Sequence, residues 1–322
     1  MTTNIKDQTW KVEIIDRRFP LSNVDKGLSE VNLSCANMII KNQLPTSKKL
    51  YKYKPNILEY NKENLENDKL WLSYPNSLND PFECEISICQ NKELIDLNIQ
   101  PGPECCFENI NTKIDNPSAA YAYYNAILVR LMETNLRPSI DNSKCKVAIG
   151  SLTEVKNSIL MWSHYANEHK GFCIEYNVLE LLDIKKNELY PIIYNNELPD
   201  ITITRSDNLE ESILNTIIKA SLTKATDWSY ENEWRILSHN NYPTAGVTGF
   251  SVKMPIPTAI YLGCKISSDD KNILINICTK RKIKVYQMVR LPNKYELSFA
   301  DIESCHNNEI QNEWVFTKKY MF

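Results

Sequence analysis

Residues able to do chemistry gather in three stretches of this 322-residue chain. In the third, Lys224–Leu237, the carboxylates Glu231 and Glu233 flank Asn232 at the entry to a β-like run, Glu233–Ser238. In extended backbone, residues two apart face the same side, so both acids are expected in one cleft. Paired carboxylates displace each other's pKa and can orient or polarise a substrate hydroxyl. Arg235 shares that face and offers the commoner alternative, a structural ion pair with Glu233. Glu154 and Glu175 are further acids that could join them.

The second stretch, Met161–Tyr176, sets Trp162, His164, Tyr165 and Phe172 close together. His164 and His169 lie five apart, which suits no single helix face, and no H-E-x-x-H pattern accompanies them. Trp162, His164 and Tyr165 can line a pocket and stack on a planar ligand. Aromatic packing with one satisfied histidine explains the same residues equally well. The first stretch, Leu70–Glu83, runs from a strand into a proline-bounded turn that presents Asn79, Asp80 and Glu83. Asp80 precedes Pro81, which disfavours helix there, and such residues serve as turn formers more often than as catalysts. Charged, amide and aromatic side chains are denser in these stretches than elsewhere, which predicts that Asn79–Glu83, His164–Tyr165 and Glu231–Arg235 converge.

The elements that must position them read as α+β: a mixed sheet with flanking helices and a C-terminal strand–helix–strand unit. Strands are expected at Leu50–Tyr53, Lys69–Ser73, Val147–Leu152, Gly171–Tyr176, Glu233–Ser238, near Gly249–Val252, at Ile256–Gly263 and at Ile283–Val289. Helices are expected at Ile57–Asn67, Ala119–Asn135, Ser158–Glu168, Leu209–Leu222 and Ser267–Lys280. Residues 1–48 read as a polar, irregular N-terminal extension with one helix, 49–292 as a single domain and 293–322 as a tail with partly helical character. The net charge of −3 does not indicate nucleic-acid binding, which stays possible only through a local basic groove. No apolar run is long enough to span a membrane and no export signal leads the chain, so a cytoplasmic protein with reduced thiols is expected. The ten cysteines contain no C-x2-C pair, so a zinc site is not expected.

Four ordered motifs resemble bacterial domain-of-unknown-function family 2971: Leu50–Tyr53, Leu78–Glu83, Met161–Tyr176, and Lys224 with Trp228–Arg235. The resemblance covers about residues 50–290. Leu78 stands where that family has Phe, and Gly150–Glu154 where a Cys-Phe-Ser-Glu is more usual. Such proteins resemble components of anti-phage or mobile-element loci. A second resemblance is to ADP-ribosyltransferases of the arginine–serine–glutamate type, through Lys52, Ser151–Thr153 and Glu231–Glu233 in that order. It implies that the basic residue grips the pyrophosphate of NAD, the serine strand supports the nicotinamide, and Glu233 binds the ribose hydroxyl as the glycosidic bond loosens. Lys52 departs from the pattern, since only arginine has the rigid fork.

The leading expectation is therefore an NAD-using ADP-ribosyltransferase or NAD glycohydrolase, acting as a defence or toxin effector on an unidentified acceptor macromolecule or partner protein. Glu233, Glu231 and His164 are its candidate catalytic residues. Lys52, Tyr53, Asn79, Asp80, Ser151, Trp162, Tyr165 and Arg235 are the candidates for holding NAD. One alternative is a nuclease with Mg²⁺ on Asp80, Glu83, Glu175 and Glu231. Another is a noncatalytic sensor or partner-binding module that presents Trp162, His164 and Trp228.

Overall fold

A computed structural model describes residues 7–19, 29–87, 134–185, 188–200, 209–239 and 246–302. The N-terminal part holds two helices, α1 (Thr9–Arg18) and α2 (Ser29–Asn42). Strand β1 (Lys49–Lys54), helix α3 (Glu59–Glu66) and β2 (Lys69–Ser73) follow. A helix α4 runs through 134–144, then come β3 (Val147–Thr153), α5 (Ile159–Tyr165), β4 (Phe172–Asn177) and α6 (Val178–Ile184). Next are β5 (Leu189–Pro191), β6 (Ile193–Tyr194), α7 (Leu209–Ala220), β7 (Thr223–Lys224) and β8 (Glu233–His239). The chain continues through β9 (Gly249–Lys253), β10 (Ala259–Leu262), α8 (Ser268–Arg281), β11 (Lys284–Arg290) and β12 (Leu297–Asp301).

The main sheet runs β12-β11-β10-β4-β1-β3-β2-β9, with β8 on β3 and β5 on β8. It is mixed: β10 and β11 pair in parallel and their neighbours pair antiparallel. The fold is thus α+β with a C-terminal strand–helix–strand unit, as expected. Alternation along β1 decides what each face carries. Leu50 joins Ile174, Ile260 and Leu262 in a core shared with Leu274, Ile277 and Cys278 of α8. Tyr51 and Tyr53 join Cys173, Tyr261 and Met288 in a second core, with Met161, Trp162 and Ala166 from the α5 segment. The sheet therefore has helices on both faces, and α5 comes to lie over β1.

Several elements end where local chemistry requires. The Ser158 side chain accepts from the Met161 amide and starts α5. Asn167, Glu168 and His169 then take successive left-handed conformations (φ 47, 55 and 71°), so the helix stops short of the expected Glu168. Strand β10 begins at Ala259 rather than Ile256, because Pro255 and Pro257 lack the amide a ladder needs. At Gly171 a Cβ would lie 2.0 Å from the Lys54 carbonyl oxygen, so β4 can enter beside β1 only through glycine.

The N-terminal residues differ from the reading as an irregular stretch with one helix. Two helices are present, and Ile14, Ile15, Phe19, Ala36 and Ile40 are buried in the main core. Gln8 pairs with the Tyr194 backbone through both amide atoms, at 3.0 and 2.8 Å, and Lys11 reaches the Ile192 carbonyl at 2.7 Å. The segment read as a tail supplies β12, which pairs with β11. The helix expected at Ala119–Asn135 lies outside the described residues apart from its last two, and so does the remainder of the tail beyond 302.

Candidate functional site

The two glutamates come together, but not through strand alternation. Residues Thr226–Glu231 form a 3-10 helix, Asn232 is left-handed (φ 42°, ψ 56°), and only Glu233 begins β8. That turn aims both side chains at one ammonium: Lys224 Nζ lies 2.7 Å from Glu231 Oε2 and 3.3 Å from Glu233 Oε2. The backbone of the turn is fixed by Thr153, whose hydroxyl donates to the Glu231 carbonyl. Tyr194 fixes it too, its hydroxyl oxygen accepting from the Glu233 amide at 2.7 Å.

Arg235 lies two residues along β8 and is 1% exposed. Its guanidinium donates at 2.5 and 2.9 Å to the two oxygens of Glu83, at 2.8 and 3.3 Å to Glu233, and at 2.6 Å to the Ser221 carbonyl. Glu83 arrives from the Asp80–Pro81–Phe82 turn, in which the Asp80 carboxylate accepts from the Phe82 amide at 2.9 Å. The Tyr165 hydroxyl donates to Glu231 Oε1 and itself accepts from Asn79. Asn79–Glu83, Tyr165 and Glu231–Arg235 are thus joined in one continuous polar network. His164 touches its edge, Nδ1 lying 3.0 Å from the Tyr230 hydroxyl.

The paired acids are displaced in opposite directions. Burial pushes Glu233 up, but Arg235, Lys224 and the Ser151 hydroxyl outweigh it and hold the carboxyl down at about 2. For Glu231, burial together with the charge of Glu233 raises the pKa against the pull of Lys224 and Tyr165. A pair pushed apart in this way divides its roles: one acid stays ionised and the other can take or give a proton. Lys52 sits nearby in the field of Glu233, Glu231 and Arg235, with its own pKa lowered first of all by burial.

Other expected site residues have different employment. Trp162 is fully buried, edge-on to Tyr53 at 5.1 Å, with its indole N–H on the Lys156 carbonyl, so it has no face to offer a ligand. Tyr53 donates to the Val155 carbonyl at 2.9 Å and fixes the loop after β3. Asp80 is occupied with its own turn. Glu154 accepts from Trp234 Nε1 at 2.8 Å, and Glu175 is taken by Lys49, Thr258 and Tyr261, so neither joins the pair. His169 lies past the end of α5 and bonds Ser163 at 3.1 Å. Among the described residues no group of three or more His, Cys, Asp or Glu side chains is arranged to hold a metal ion, and Cys35, Cys84, Cys145, Cys173, Cys264 and Cys278 are free thiols.

Sequence reasoning did not assign Lys224 or Tyr194 to the site, and it gave Glu83 a partner only as a Mg²⁺ ligand of the nuclease alternative. Lys224 was visible inside the last motif, but with no partner assigned. Tyr194, contributed by a two-residue strand, left no signal.

Residues 161–236 match the model of a family described as protein of unknown function (DUF2971). This bears out the resemblance for the motifs in the matched stretch, which holds α5, Lys224 and the two glutamates. No curated protein and no solved structure matches the chain.

Proposed function

We propose that the Glu231 centre cleaves the nicotinamide–ribose bond of NAD, as an ADP-ribosyltransferase or NAD glycohydrolase, in a defence or toxin effector. One observation carries the reading: two buried carboxylates share the Lys224 ammonium, yet Glu233 is held ionised while the pKa of Glu231 is raised. Breaking the C–N bond sends its electron pair out with nicotinamide and leaves positive charge on the ribose. A fixed negative charge in a site shielded from water stabilises that charge. The acceptor oxygen, from water or a hydroxyl, then adds to the ribose carbon, and its proton passes to Glu231. Tyr165 orients Glu231 through its hydroxyl, and the half-buried rings of Tyr165, Trp228 and Tyr230 provide faces for a planar base. Glu233, to which the resemblance gives the ribose hydroxyl, is enclosed by Arg235, Lys224 and Ser151, so its role is electrostatic and Glu231 carries the proton.

The nuclease alternative draws less support, because its four acids have separate partners: Asp80 its own turn, Glu83 Arg235, Glu175 Lys49, and Glu231 Lys224. The test is nicotinamide release from NAD by purified protein. Release by the native chain, reduced on the order of a hundredfold in Glu231→Gln at unchanged melting temperature, is the expected result. Equal turnover by native protein and variant would overturn it.

A further inference from the structure

Lys156, in the loop between β3 and α5, lays its side chain over a group of aromatic rings on the sheet face that α5 shares. Its Nζ lies 4.0 Å from the ring centre of Phe299, 4.9 Å from Tyr261 and 5.9 Å from Tyr51. Tyr286 backs the group, stacked on Tyr261 at 5.2 Å and edge-on to Phe299 at 5.3 Å. The rings come from β1, β10, β11 and β12, and Phe299, Tyr286 and Lys156 are only half-buried. Such a set of rings is a cage for a cation. Lys156 fits it poorly. A primary ammonium has three N–H donors. Among the described residues this one makes a single hydrogen bond, 3.3 Å to the Tyr261 hydroxyl, and no ion pair. Burial lowers its pKa more than the charge of Glu175 raises it.

We propose that Tyr51, Tyr261 and Phe299 form a site for a small quaternary ammonium molecule, which enters as the Lys156 side chain withdraws. The inference is independent of the NAD reading. A nitrogen that carries only carbon has no N–H to leave unsatisfied, so it loses less on leaving water than a primary ammonium does. Its methyl groups also meet the ring faces directly. Glu175, which accepts from the Tyr261 hydroxyl at 2.7 Å, supplies negative charge one side chain away. The loop permits the exchange. The Tyr53 hydroxyl holds the Val155 carbonyl at 2.9 Å and the Trp162 indole holds the Lys156 carbonyl at 2.8 Å. The backbone therefore stays in place and only the lysine side chain has to move. Lys156 is a tethered competitor that fills the cage when no ligand is present.

Calorimetric titration of the full chain with choline and, separately, ethanolamine, at matched ionic strength, tests this. The two probes differ only in the methyl groups on nitrogen. Choline should bind saturably and about tenfold or more tighter than ethanolamine. Lys156→Ala removes the competitor and should tighten choline binding by about tenfold. Phe299→Leu removes the nearest ring and should weaken it by a similar factor at unchanged melting temperature. Lys156→Ala changes a half-buried loop residue, so it keeps the test alive should Phe299→Leu fail to fold. Choline binding absent from the native chain, even if present in Lys156→Ala, means a closed structural contact and overturns the proposal. Equal binding of the two probes, or choline binding that Lys156→Ala leaves unchanged, overturns it as well. Nicotinamide release bears on neither outcome, because the cage shares no residue with the Glu231 centre.

Discussion

Glu175 and Glu231 look alike in outline. Each is a buried glutamate near the sheet, and each meets a lysine and a tyrosine hydroxyl. Glu175 has three donors to itself: Lys49 at 3.1 Å, Thr258 at 2.7 Å and Tyr261 at 2.7 Å. Burial would raise its pKa, yet those donors outweigh burial and the group ends below the usual carboxylate range. Glu231 has Tyr165 and a lysine it must share with Glu233, and it ends above that range. Burial and the like charge of Glu233, set against fewer donors, separate the carboxylate able to move a proton from the one that is structural.

The largest effect that bears on this comparison comes from Arg235. Arg235→Leu leaves Glu83 and Glu233 buried without their main partner and should cost on the order of 3–5 kcal/mol in urea unfolding. A cost under about 1 kcal/mol would mean the network is not the scaffold of the pair. Next is the contrast between the two glutamates themselves. Glu231→Gln should lose turnover on the order of a hundredfold and keep its melting temperature, because burying its charge costs stability at neutral pH. Glu175→Gln should keep turnover and lose about 1–3 kcal/mol of stability, since it weakens charge-assisted hydrogen bonds from Lys49 and its neighbours. Variants behaving in the opposite way would invert the assignment.

Titration sharpens the comparison further. The folded pKa of Glu233 lies below its ordinary 4.5, at about 2, so its contribution to stability is complete above 4.5 and is lost as pH falls toward 2. Acid unfolding of Glu233→Gln should lack that component. Glu231 acts ionised, so the acid limb of turnover should lie above the ordinary glutamate range. Tyr165→Phe removes a donor to the ionised form and should move that limb to still higher pH, the smallest of these effects, read from a pH–rate profile.

The sequence by itself determined the class of the fold, the strands that carry the motifs and the strand–helix–strand unit near the C-terminus. Periodicity, prolines and capping residues such as Ser158 and Ser267 act over a few residues and so can be read locally. It also brought Glu231, Glu233, Arg235, Tyr165 and Asn79 into one group. Only the tertiary structure decided their roles. The meeting of Glu231 with Glu233 depends on a left-handed Asn232 where an extended strand was expected. The enclosure of Glu233 depends on Arg235 finding Glu83 from a distant turn. Trp162 and Tyr53 turned inward because α5 packs over β1. The physical reason is the same throughout: a pKa is set by every group that folding brings within a few ångströms, and sequence order does not record that company.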